Sequence, residues 1–228
     1  MYPKYPYPEV SVIICTLNEE KNLPYVLPRI PAWVDEIILV DGHSTDGTVE
    51  AARKIRSDIN VLYQPNEGKG DALKYGISES KGDIIVALDG DGTYSPEEMC
   101  KFVQAILDGN DFAKGSRFMC GEPTCIPANR RFGNRVLAWS FNLLFRTHFS
   151  DVCSGYYAFR KEVFQKIGLI SDGFDMEQEL FVKIAKMRFK VAEVPHSYRR
   201  RSHGSSKTRD FRQGIRDLLW IVSFRFRA

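Results

Sequence analysis

Two aspartates with one residue between them follow an apolar run: Ile84-Ile85-Val86-Ala87-Leu88 leads into Asp89-Gly90-Asp91-Gly92-Thr93. Residues i and i+2 of an extended chain point the same way, so both carboxylates can face one site. Three roles suit such a pair. The first carboxylate can attack a phosphate while the second handles a proton. The two can hold Mg2+ or Mn2+, which takes one or two carboxylates and fills its octahedron with phosphate oxygens and water; a cation there would neutralise a departing diphosphate. Or the segment only turns the chain before a helix, with glycines supplying the freedom.

The attack reading resembles the DxDGT motif of haloacid-dehalogenase-like phosphatases. That family also needs an acidic pair after a later strand and usually carries DxDGT on its first strand. No GDxxxD follows residue 93, and three strand–helix units precede Asp89, so the motif lacks its context. The strands of those units are VSVIIC (10–15), EIILV (36–40) and NVLYQ (60–64), with DIIVAL (83–88) as the fourth. Helical segments are expected over 19–29, 46–56, 69–80 and 96–108. Near-continuous apolar strands alternating with helices predict a parallel sheet covered on both faces. The polar loops TLNEE, DGHSTDGT, PNEGKG and DGDGT all leave the carboxyl ends of strands, where such sheets bind ligands. Their company weakens the bare-turn reading. Ser95, Pro96 and Glu98 predict a capping box at the start of the fourth helix, and Gly109 its end.

Further along, 111–118 reads as a strand, 119–129 as a loop and 130–146 as an amphipathic helix. A strand at 156–160, a helix at 177–187 and a late strand at 189–195 complete the pattern. In the segment 208–226, Phe211, Ile215, Leu218, Leu219 and Val222 fall on one helical stripe, with Arg209, Arg212 and Arg216 mainly off it. An apolar face beside a basic one suits the surface of an anionic membrane, and equally a terminal helix packed on the core. Net charge is +3 over 228 residues, yet residues 199–228 alone carry nine Lys/Arg against two Asp/Glu. That tail points to an anionic partner.

Composition bounds the rest. Hydrophobic residues at 43% and charged residues at 27% are ordinary for a globular domain. No apolar run approaches the ~20 residues of a membrane span, and the N-terminal MYPKYPYPEV lacks the apolar core of a secretory signal. Five cysteines without a CxxC pair argue for free thiols in a reducing compartment. The four histidines have no spacing suited to zinc.

Seven segments occur in an order that resembles family 2 glycosyltransferases of the GT-A fold: CTLNEE, DGHSTDGT, NEGKGDALKYGI, LDGDG, KGSRF, DVCSGYYAF and RRSHGSSK. The set is most similar to polyprenyl-phosphate sugar synthases of the dolichol-phosphate mannose synthase type and covers nearly the whole chain. The resemblance implies an α/β, mostly parallel sheet flanked by helices, with a catalytic domain over 1–207 and a C-terminal amphipathic helix over 208–228 at the cytoplasmic membrane face. It implies that Glu19 and Asp41 line the nucleoside pocket, with Asp46 and Lys69 in the loops of the donor pocket. Asp89 and Asp91 would hold Mg2+ or Mn2+ and the diphosphate, and Arg117 would lie near the phosphates. Asp151, Ser154 and Gly155 match the acceptor side; Arg201, Gly204, Ser206 and Lys207 match the element that receives a lipid phosphate. The catalytic set is then Asp91, Arg117, Arg201 and Lys207. The implied partners are a nucleotide sugar, a polyprenyl or dolichyl phosphate and the membrane surface, without nucleic acid.

The departures lie near the base and the metal. Cys15 and Leu17 stand where many members have Pro and Tyr, Gly42 replaces a second Asp, and Thr93 stands where the mannose synthases often have Gln. UDP and GDP therefore both stay open. A phosphate acceptor is already ionised near neutral pH and needs no general base, only orientation and a stabilised leaving group. In-line attack would invert the anomeric centre. A hydroxyl acceptor would need a base, for which Asp175, Glu177 and Glu179 are available; acids at a helix N-terminus also simply complement its dipole. A reading of another class makes the basic, aromatic tail a nucleic-acid binding module, which leaves Asp89 and Asp91 without purpose.

Overall fold

The computed structural model describes residues 7–121, 123, 125–173, 175–204 and 211–226. The four apolar runs are strands β1 (Val10–Thr16), β2 (Glu36–Asp41), β3 (Asn60–Tyr63) and β4 (Ile84–Asp89). Helix α1 (Thr48–Ile55) links β2 to β3, and α2 (Lys69–Glu79) links β3 to β4. After β4 come α3 (Met99–Leu107), β5 (Phe112–Ser116), α4 (Ala128–Phe145), β6 (Tyr157–Arg160), α5 (Lys161–Ile167), α6 (Met176–Lys186), β7 (Val191–Pro195) and α7 (Phe211–Phe226).

The strands form one sheet in the order β3-β2-β1-β4-β6-β5-β7. All neighbours are parallel except β6, which runs against both β4 and β5. The central strands are apolar at nearly every position because both faces are covered. On β1, Val12 and Ile14 pack with Leu23, Met99 and Phe102, while Ile13 faces Ala72, Leu73 and Ile77 on the other side. The chain runs outward from β1 to β3 and then returns to β4 beside β1. That reversal is a topological switch point, and the loops after β1 and β4 must diverge there and leave a crevice. Cys15 pairs in register with Asp89 across it, and Thr16 with Asp41.

Three expectations change. Residues 19–29 do not form an α-helix but two 3-10 turns, Leu23–Tyr25 and Leu27–Arg29. Pro24 and Pro28 each sit near the start of a turn and each removes an N–H that an α-helix would need. The capping box does not form: the Ser95 side chain caps nothing, and its hydroxyl is buried without a hydrogen-bond partner among the described residues. Glu98 instead accepts from the Ser197 backbone N–H at 2.8 Å and its hydroxyl at 2.7 Å, and pairs with Lys101. The C-terminal helix packs against α4 and α6. Its core-facing side is Leu218, Ile221 and Phe224, not the whole stripe read from the sequence: Ile215, Leu219 and Val222 stay exposed. No helix among the described residues is long and apolar enough to cross a membrane. All five cysteines are free thiols.

An orphaned buried hydroxyl costs stability without return. Ser95→Ala should leave the protein as stable or raise its unfolding free energy by about 1 kcal/mol, measured by urea denaturation.

Candidate active site

A cleft of about 460 Å³ opens at the switch point, lined by the ends of β1, β2 and β4 and by the start of α2. Asp89 and Asp91 stand on its floor. Gly92 takes φ +77° and turns the chain back after the pair. Asp91 is fixed by Thr93, whose backbone N–H and hydroxyl donate to Oδ1 at 3.0 and 2.7 Å. Burial, then the nearby Asp89 charge, raises the Asp91 carboxyl above the ordinary aspartate value.

Two cations answer these acids. Lys69, at the first position of α2, lies 2.7 Å from Asp89 and 2.7 Å from Glu177. Burial works against its charge, but the two carboxylates outweigh it and hold the ammonium well above its usual value. Arg201 donates from Nη2 to both Glu19 oxygens at 2.7 and 2.6 Å, and its Nη1 lies 3.6 Å from Asp91. Burial raises the Glu19 carboxyl, against the pull of Asn22 and Arg201. Arg201 comes from a strap that crosses back over the cleft. Arg199 N–H donates to the Thr93 carbonyl at 2.9 Å, and Tyr198 bridges Tyr94. His203 N–H and carbonyl are held by the Asn22 side chain, each at 3.1 Å.

The loop before β6 rests against the charged cluster at the cleft's edge. A Cβ on Gly155 would stand 3.0 Å from both Glu177 Oε1 and Lys69 Nζ and 3.2 Å from Asp89 Oδ2. A side chain here would press on the charged ends of the cluster, and the Tyr94 hydroxyl fixes the backbone by accepting the Gly155 N–H at 2.9 Å. On the β2 side, His43 lines the cleft in the left-handed region at φ +61°. Its Nε2 lies 2.9 Å from the Gln64 carbonyl, a contact that helps hold a conformation of this cost.

The remaining sequence-predicted residues fall elsewhere. Asp41 is fully buried and accepts from Thr16 and from the Ser44 N–H and hydroxyl. It shapes the loop after β2 and does not line the cleft. Asp46 accepts from the Thr48 N–H and hydroxyl and from the Glu20 N–H, so it ties the β1 loop to α1. Arg117 is 7% exposed and forms a two-pronged pair with Asp151, Nε at 2.7 Å and Nη2 at 2.9 Å. Burial raises an isolated carboxyl, but Arg117 overrides it and holds Asp151 far below the usual carboxylate range. Ser154 is fully buried with its hydroxyl 3.0 Å from His196 Nε2. Ser206 and Lys207 lie outside the described residues.

Cation binding must be judged on the donors. Asp89 and Asp91 offer carboxylate oxygens only, and among the described residues no group of three or more His, Cys, Asp or Glu is placed to hold a metal. Cys15 lines the cleft, but burial pushes its thiol up to about 12, so it stays neutral and offers no thiolate. Two hard oxygen donors on a wet cleft floor fit Mg2+ or Mn2+ completed by ligand and water oxygens, and do not fit a closed protein cage. The adjacent negative charge on Asp89, which raises the Asp91 carboxyl, is what such a cation would relieve.

Glu177, one of three acids that the sequence offers as a possible base, is joined to the cleft through Lys69. Its place in the first turn of α6 had a sufficient dipole explanation, and nothing local in sequence ties it to Lys69, 108 positions away. Glu179, beside it, is a structural acceptor for the Ile170 and Ser171 N–H groups.

Removing one member of the buried Arg117–Asp151 pair strands a charge. Asp151→Ala should destabilise by about 3–5 kcal/mol in urea denaturation. Because the folded-state pKa is depressed, the pair's contribution is complete above the ordinary aspartate value of ~3.9 and is lost as pH falls below it. The variant's deficit should therefore shrink in acid.

Residues 11–168 match the model of glycosyl transferase family 2. The chain is 34% identical over 206 residues to glycosyltransferase AglJ of Haloferax volcanii, covering 88% of this chain and 66% of that protein. It is 33% identical to the dolichol-phosphate mannosyltransferase of Pyrococcus furiosus, covering 87% and 59%. It therefore spans about two thirds or less of the length of these two relatives. With the dolichyl-phosphate hexose transferase of Haloferax volcanii the identity is 32%, over 92% of this chain and 91% of that one. Among solved structures, glucosyl-3-phosphoglycerate synthase from Mycobacterium tuberculosis in complex with Mn2+, UDP and phosphoglyceric acid superposes with a TM-score of 0.77. Identity there is 21%, over 97% of this chain and 80% of that one, a likeness of fold. By its sequence over most of its length, and with the GT-A architecture that its sheet displays, the chain belongs to glycosyl transferase family 2.

Proposed function

We propose that this protein transfers a hexose from a nucleoside diphosphate sugar to a polyprenyl or dolichyl phosphate. The observation that carries the proposal is the gathering of Asp89, Asp91, Lys69 and Arg201 around one cleft at the switch point. Relatives named for dolichyl-phosphate acceptors support it, as does a fold neighbour solved with Mn2+ and UDP. The region 1–207 would carry the transfer, and 208–228 would face the cytoplasmic side of the membrane in which the acceptor is anchored.

In this reading the nucleoside enters the β1–β2 side of the cleft, between Glu19 and the His43 wall. Asp41 and Asp46 act on it by shaping the loops. Asp89 and Asp91 would hold a divalent cation, which when bound would neutralise charge on the diphosphate. Lys69 holds Asp89 and Glu177 in place. Arg201, with Ser206 and Lys207 beyond the described residues, receives the acceptor phosphate; a guanidinium grips phosphate with two parallel hydrogen bonds. A phosphate oxygen attacks the anomeric carbon as the bond to the diphosphate breaks, the nucleoside diphosphate leaves with the electron pair, and configuration inverts. No proton has to be removed from the acceptor. Arg117 and Ser154 work through the positions of Tyr198 and His196, respectively.

Glu177 gives a specific reason to keep a second reading. Lys69 ties it to Asp89 at the cleft, and freed of that pairing its carboxylate would serve as the base for a hydroxyl acceptor.

A panel of UDP- and GDP-sugars with Mg2+ or Mn2+ separates these readings, with label counted in the lipid fraction and in a hydroxyl-acceptor fraction. The expected result is label in polyprenyl phosphate sugar with inverted linkage by NMR, reduced at least about a hundredfold in Asp91→Ala with the fold intact by circular dichroism. Label confined to hydroxyl acceptors would favour the second reading. Full activity of Asp91→Ala would remove the site assignment.

A further inference from the structure

Lys69 stands where a helix least favours it. It takes the first position of α2, and the positive end of the helix dipole there suits an acid and disfavours a cation. Only 18% of its side chain is exposed. Its ammonium lies 2.7 Å from Asp89 Oδ1 and 2.7 Å from Glu177 Oε1, and the Gly155 backbone lies against all three groups. Lys69 and Asp89 line the cleft, whereas Glu177 is not among the lining residues. Glu177 therefore meets the cleft through Lys69. Its own place, in the first turn of α6, favours a negative charge.

The same division recurs across the cleft floor. Arg201 Nη1 lies 3.6 Å from Asp91 Oδ2, while its Nη2 donates to both oxygens of Glu19. Each protein cation is thus shared between one floor aspartate and one glutamate. The aspartates are also the oxygen donors suited to a divalent cation. A carboxylate that already neutralises an ammonium attracts a second cation less, and two cations at one carboxylate repel each other. Lys69 and a divalent cation must therefore compete for Asp89. A buried ammonium stripped of its counter-charge is costly, so a lysine with Asp89 as its sole partner would not give it up. A second acid changes that balance.

We propose that Glu177 is a positioning residue for cation binding: it keeps the Lys69 ammonium paired while Asp89 gives its charge to a divalent cation. Without Glu177, Lys69 has Asp89 alone and stays on it. Glu19 and Arg201 repeat the device beside Asp91. This role gives Glu177 a use that needs no proton transfer. It rests on the cation site of the proposed function and not on which acceptor is used.

The test is a double-mutant cycle on the full chain, read by Mn2+ binding without acceptor or donor sugar, from the electron paramagnetic resonance signal of free Mn2+. Lys69→Met should bind Mn2+ about tenfold or more tightly than wild type. Glu177→Gln should bind it about tenfold more weakly. In the Lys69→Met background, Glu177→Gln should change Mn2+ affinity by less than about twofold, because Glu177 acts through Lys69. Lys74→Met removes the same charge from α2 at a lysine paired with Asp172, and should bind Mn2+ as the wild type does. Lys69→Gln, which still donates to both acids, serves in the cycle should Lys69→Met not fold by circular dichroism. Wild-type Mn2+ affinity in Glu177→Gln would overturn the proposal by itself. So would an equal loss from Glu177→Gln in both backgrounds, which would make Glu177 act on the cation directly. The predicted cycle in a protein that labels no polyprenyl phosphate would sink the proposed acceptor and leave this role standing; lipid labelling with a flat cycle would do the reverse.

Discussion

Carboxylates set side by side at the end of a buried strand repel one another and lose solvation, so the chain around them must supply positive charge. In this protein the need is met twice from far away in sequence. Lys69 at the start of α2 answers Asp89, and Arg201 in the C-terminal strap approaches Asp91 while gripping Glu19. Much of the architecture reads as the means of bringing those cations in. The switch point between β1 and β4 opens the crevice, Gly155 lets the backbone of the loop before β6 lie on the cluster, and the strap is pinned to Thr93, Tyr94 and Asn22.

A second buried pair keeps this arrangement stiff. Arg117 and Asp151 join the end of β5 to the loop before β6, and the Arg117 guanidinium lies 5.3 Å from the Tyr198 ring, so the pair also supports the strap. Around it Tyr94, Tyr156 and His196 pack edge to face. Burial holds the His196 imidazole below its usual value, which keeps it neutral beside the Ser154 hydroxyl. These residues sit behind the wall of the cleft and set its shape.

What the sequence made legible follows from how local each signal is. The strands were plain because a strand covered on both faces must be apolar at successive positions, and β1, β2 and β4 are. The Asp89–Asp91 pair was plain because its partners in meaning, the apolar run and the glycines, are adjacent. The 3-10 turns at Leu23–Tyr25 and Leu27–Arg29 were missed because apolar spacing was read over two prolines. The capping box failed because Glu98 had a stronger use 99 positions away, on Ser197. The Glu19–Arg201 contact spans 182 positions, and the Lys69–Glu177 contact 108; no window along the chain contains either. On α7 the periodicity was real, but one helix carried two apolar faces, and only packing showed which of them turns inward.

The central claim is that the cleft floor binds a divalent cation together with a nucleoside diphosphate. Calorimetric titration of UDP and GDP, with and without Mn2+, tests it without any acceptor. The account predicts that one of the two nucleotides binds, that Mn2+ strengthens binding at least about tenfold, and that Asp91→Ala removes the metal effect while the fold persists. Nucleotide affinity that is the same with and without Mn2+, in wild type and variant alike, would contradict it.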